Sequence, residues 1–188
     1  MTKHSALPLS MLLALFLASC AAPGDYRPEL LAAPPMNRYT LAAGDRLRVI
    51  VFGQDALSNS YAVDGSGHIS MPLIGPVPVY GRDTVAVERE IAERLRAGFV
   101  REPRVSVEVE AFRPFFVLGE VMTAGQFPYV EGMTVRTAIA IAGGFNPRGF
   151  QSEVDITRVM DGVPITGRVP LDTLVLPGDT ITVRERIF

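Results

Sequence analysis

The sequence has no tryptophan, one cysteine and two histidines among its 188 residues. A single cysteine closes no internal disulfide, so no disulfide framework holds the fold. Nor can it supply the several thiolates of a Cys-based zinc site. An excess of charge of one sign is missing too. The formal net charge is −2, from 18 basic and 20 acidic residues. Phosphate binding needs a concentrated basic face, so this balance argues against nucleic acid as the main partner. What is present is ordinary for a folded chain: 48% hydrophobic and 20% charged residues, a composition that rules out a mainly disordered protein. The length supports one compact domain or two small ones.

One apolar run stands out, from Ala6 to Ala18. At about 13 residues it is too short to span a bilayer, which takes roughly 20, but it suits the hydrophobic region of a secretory signal. Leu17-Ala18-Ser19-Cys20 follows and resembles the bacterial lipobox, in which the thiol is diacylated and the chain is cut just before it. Small residues fit a narrow peptidase cleft, and each acyl methylene buried in the membrane contributes about 0.8 kcal/mol. Residues 1–19 are therefore expected to be a lipoprotein signal peptide and Cys20 the lipidation site. In Gram-negative lipoproteins an aspartate after the cysteine favours the inner membrane. Ala21 stands there, so the resemblance implies anchoring on the periplasmic face of the outer membrane. Pro23, Gly24, Pro28, Pro34 and Pro35 then mark residues 20–37 as a flexible tether.

The rest reads as two α+β units. In the first, residues 38–113, Leu47, Val49 and Val51 alternate with polar neighbours after an Ala43-Gly44-Asp45 turn, predicting a strand. Asp64-Gly65-Ser66-Gly67 predicts a hairpin pairing Tyr61-Ala62-Val63 with residues 68–73, and Pro76, Pro78 and Gly81 read as closing loops. Val87, Ile91 and Leu95 predict a helix capped by Asp83 or Thr84. Residues 104–112 alternate cleanly. In the second unit, residues 114–188, strands are expected at 115–121, 127–130, 154–159, 167–171 and 180–184, with a helix capped by Thr134 and stopped by Gly143-Gly144. Gly178-Asp179 repeats the device of Gly44-Asp45, a turn placed before an alternating strand.

Little of this looks catalytic. His68 is the only histidine beyond the signal, and no nucleophile or acid stands at triad or metal spacing. Glu108 and Glu110 share one face of a strand, roughly 7 Å apart, within the range of an inverting glycosidase pair, yet two glutamates on the wet face of an alternating strand are usually just solvated. Phe112, Phe115, Phe116, Phe127 and Tyr129 could stack on sugar rings or pack a core. No cofactor or metal is expected.

Residues 39–53 (Tyr39-Thr40-Leu41-Ala42-Ala43-Gly44-Asp45-Arg46-Leu47, then Val51-Phe52-Gly53), residues 63–75 and Pro103-Arg104-Val105-Ser106-Val107 resemble the polysaccharide export domain. Val117-Leu118-Gly119-Glu120-Val121, Gly125 to Tyr129, Ala138 to Gly144 and the closing Pro177-Gly178-Asp179-Thr180-Ile181 are similar to a soluble-ligand-binding β-grasp (SLBB) domain. In this order they resemble the outer-membrane polysaccharide export lipoproteins. The resemblance implies an α+β protein with a small export domain and one β-grasp domain. It implies a homo-oligomeric ring that conducts polysaccharide without chemistry, fed by an inner-membrane copolymerase. With no segment after the signal long enough to cross a bilayer, the expected outlet is a separate outer-membrane β-barrel. The alternative class is a glycan-binding or sensing adaptor that does not conduct polymer.

Overall fold

The structure, a computed structural model, describes residues 39–160 and 162–187. Cys20, the signal and the whole of the tether lie outside the described residues. The elements run β1 (Arg46–Val51), β2 (Asn59–Ala62), β3 (His68–Met71), β4 (Gly75–Pro78), α1 (Thr84–Arg96), β5 (Val105–Ala111), β6 (Phe115–Gly119), β7 (Gly125–Phe127), α2 (Val135–Ile141), β8 (Glu153–Met160), β9 (Val163–Pro170) and β10 (Thr180–Val183). The class is α+β, as expected.

The first core is built on β1, which lies between β2 and β5 in an antiparallel sheet. Its alternation turns Leu47, Val49 and Val51 inward and Arg46 and Arg48 to water. Helix α1 starts where the Asp83 carboxylate accepts the Ala86 N–H at 2.8 Å. Val87, Ile91 and Leu95 are fully buried against Leu47, Val49 and Val107, each burial stabilising by about 1.5–3 kcal/mol. On the outer side of α1, Glu90 pairs with Arg94 at 2.7 Å and with Arg82 at 3.3 Å. The Arg94 hydrogen bond holds the Glu90 carboxyl below its ordinary range.

The hairpin pairing departs from expectation. Strand β2 pairs with β1, and β3 pairs instead with β4 in a separate two-stranded sheet. The Asp64 carboxylate accepts the N–H groups of Ser66 and His68, a side-chain turn that leads the chain from one sheet into another. Pro76 and Pro78 are strand residues of β4, which has β3 as its one partner, so their missing N–H groups sit at an edge where proline is tolerated. At the tip Ile74 N–H donates to Pro72 O at 2.9 Å around Leu73, whose φ is 70°. This is a γ-turn that carries backbone strain.

The second core is a five-stranded sheet ordered β7-β6-β10-β8-β9, with β10 parallel to β6 and the other pairs antiparallel. Helix α2 covers one face, packing Val135, Ala138 and Ile139 against Phe115, Val117, Val154, Ile156 and Ile181. The short return strand is β7 at Gly125–Phe127 rather than 127–130, because Pro128 offers no N–H to continue the ladder. Among the described residues no helix is long and apolar enough to cross a membrane.

Candidate functional site

Strand β5 passes into β6 through Phe112-Arg113-Pro114, and two turns close on this linker. Asp45 is fully buried. Its carboxylate accepts from the Tyr39 hydroxyl at 2.6 Å, the Ala42 N–H at 2.8 Å and the Arg113 N–H at 2.8 Å. Arg113 Nη1 lies 3.4 Å from the same carboxylate and donates to the Tyr39 hydroxyl at 2.8 Å. Asp179 makes the matching turn from the second core. It accepts the Leu176 N–H at 2.8 Å, as Asp45 accepts that of Ala42. Each aspartate N–H returns to the same residue's carbonyl, at 3.1 and 3.2 Å. The two Gly-Asp sequences are thus one turn used twice. Their strands sit in sheets of different topology, which accords with a common strand-entry turn and runs against a duplicated domain.

Both glycines face Arg113. Gly44 and Gly178 adopt φ of 92° and 86°, open to glycine at no steric cost. A Cβ on Gly44 would stand 3.4 Å from Arg113 Cβ, and one on Gly178 would stand 2.8 Å from Arg113 Nε. Phe112 stacks edge-to-face on Tyr39 and on Tyr129, with centroids 4.9 and 5.3 Å apart. Burial, then the bond to Asp45, drives the Tyr39 phenol far above its ordinary value. Behind this layer Arg158 binds Asp179 through Nε at 2.9 Å and Nη2 at 2.7 Å, both side chains buried. Burial pushes the Asp179 carboxyl up, against the pull of the Arg158 guanidinium. The charges answer one another, so the chemistry of the joint is positional: it fixes one core against the other.

The residues singled out for catalysis are not gathered here. His68 lies in β3, with Nδ1 3.1 Å from Ser66 Oγ, and Ser66 Oγ donates to Asp64 at 2.7 Å. Sequence spacing did not foresee that trio. The aspartate binds the serine and not the imidazole, which is a turn's geometry and not a catalytic triad's. Glu108 and Glu110 are exposed on β5; Glu108 stands opposite Arg48, and Glu110 accepts from Ser60 at 2.8 Å. Among the described residues no three His, Cys, Asp or Glu side chains are grouped to hold a metal ion. Of the five aromatics proposed for sugar stacking, Phe115 is fully buried and Phe127 and Tyr129 pack on the second core. Phe112 belongs to the joint, and Phe116 faces outward. The joint residues Tyr39, Arg113 and Arg158 were missed, and the repeated Gly-Asp pair was the signal that pointed to them.

Residues 33–110 match the model of the "Polysaccharide biosynthesis/export protein" family, and residues 114–169 match the SLBB domain. The chain thus carries a polysaccharide export domain followed by one SLBB domain. It is also 34% identical over 120 residues to the exopolysaccharide production protein ExoF of Rhizobium meliloti (strain 1021). That match takes in 57% of this chain and 28% of the relative's length. Arg113 falls in the short gap between the two matched segments. Strand β10 lies beyond the SLBB match, yet completes that domain's sheet by sitting between β6 and β8.

Proposed function

We propose that this protein is a periplasmic, outer-membrane-anchored component of a translocon for capsular polysaccharide or exopolysaccharide, assembled as a ring of identical subunits through which the polymer passes without bond making or breaking. The observation that carries this reading is the order of an export domain and an SLBB domain joined through a half-buried, hydrogen-bonded linker. A conduit needs rigid wall segments, and the Arg113 joint supplies one. Ring closure needs a head-to-tail contact between two different faces of each subunit. Cys20 carries the acyl anchor, an inner-membrane copolymerase hands over the polymer, and a separate outer-membrane β-barrel gives it exit.

Electron microscopy of the detergent-extracted protein tests the assembly. Closed rings are expected, and a strictly monomeric protein contradicts the conduit. In the same cells Cys20→Ser is expected to move the protein from the membrane pellet to the soluble periplasmic fraction. A variant that still sediments with the outer membrane removes the lipid anchor from the account.

A further inference from the structure

The face of the second sheet opposite α2 carries an uncharged row. Gln126, Phe116, Thr180, Thr157 and Thr166 stand side by side on β7, β6, β10, β8 and β9, each in register with the next. The Thr157 and Thr166 hydroxyls are 2.8 Å apart. Phe116 is 38% exposed, Gln126 is exposed, and the three threonines are half-buried. Ionised groups begin only in the neighbouring rows. There Asp155 and Glu153 pair with Arg168 and Arg184 at 3.4 to 3.9 Å, so they answer one another.

Resting on the export reading, we infer that this row is a contact track for an uncharged stretch of glycan, with Phe116 stacking on the C–H face of a pyranose ring and Gln126 and the threonine hydroxyls bonding its edges. The row sets hydrogen-bonding groups on both sides of one apolar ring, and a pyranose likewise combines an apolar face with hydroxyl edges. Strands lie about 4.8 Å apart, close to the advance of one sugar unit in an extended chain, so successive units meet successive side chains. Hydroxyls both donate and accept, which lets a polymer slide from one register to the next without leaving a polar group unpaired. A second copy of this chain fits the row less well. Stable protein interfaces centre on fully buried apolar or aromatic clusters, whereas here the exposed apolar side chains, Phe116 in the row and Leu118 and Val159 beside it, are interspersed with threonine hydroxyls and the Asp155–Arg168 pair.

The test is a titration of the folded protein, followed by amide chemical shifts, with cellohexaose and laminarihexaose as neutral probes and a hexamer of galacturonate as the charged one. Shifts confined to β6, β7, β8, β9 and β10 around the row are expected with the neutral probes, and weaker ones with the acidic hexamer. Phe116→Ala, and Thr157→Val combined with Thr166→Val, which keeps β-branched residues in both strands, are each expected to weaken binding by about fivefold or more. Arg136→Gln, on the helix side, is expected to bind as the parent does. No saturable shift with either neutral hexamer overturns the track. So do shifts lying elsewhere, or self-association of the parent that Phe116→Ala abolishes. Any of these leaves the export reading standing, since that is judged by ring formation and by where the polymer collects in cells.

Discussion

Replacing Arg158 with methionine is expected to lower stability by about 3–5 kcal/mol, because it leaves a carboxylate buried without its cation. Asp179 is 1% exposed and keeps only the Leu176 N–H once both guanidinium bonds are gone. The loss is pH-dependent in a definite direction. Burial already raises the Asp179 carboxyl, and without Arg158 it rises further. A group with a raised folded-state value contributes stability that is intact below its unfolded value, about 3.9, and is lost as pH climbs through the folded value. Denaturant titrations at pH 5 and pH 8 should therefore show a smaller deficit for Arg158→Met at the lower pH. A deficit equal at both, or below about 1 kcal/mol, which is the size of a surface pair, contradicts the assignment of a buried ion pair.

Asp45→Ala is expected to cost about 3 kcal/mol or more, since it strips partners from the Tyr39 hydroxyl, two backbone N–H groups and the Arg113 guanidinium at once. Tyr39→Phe removes one of these bonds and is expected to cost about 1 kcal/mol. The larger change also acts on the coupling between cores. Calorimetry should show one transition for the parent and for Tyr39→Phe, and two for Asp45→Ala, as each core melts by itself. A single, unshifted transition for Asp45→Ala means that the joint does not couple the cores.

Much of this fold was legible because its elements follow simple periods. The four-residue recurrence of Val87, Ile91 and Leu95 had a single structural outcome, as did the alternation around Val107. The partner of β3 was not legible. A hairpin turn at Asp64 and a side-chain turn that redirects the chain use the same residues, and the choice between them rests on whether β1 has an open edge for β2. The prolines of β4 misled for a related reason: proline rejects a central strand but accepts an edge, and edges are a property of the assembled sheet. The joint was half visible. The two Gly-Asp pairs could be read, whereas Arg113, 68 residues from Asp45, became part of them only through folding. Phe116 and Phe115 are neighbours of identical type, and only the orientation of the sheet sends one to the core and the other to water.

The central claim is that the protein passes a polysaccharide onward without reacting with it. The most direct measurement is the location and chain length of the polymer in cells lacking this gene, with and without a plasmid copy. Full-length polymer retained in the periplasm, and returned to the medium by the plasmid copy, is the expected result. Undiminished polymer in the medium of the deletion strain, or polymer altered in its linkages or chain length, would contradict it.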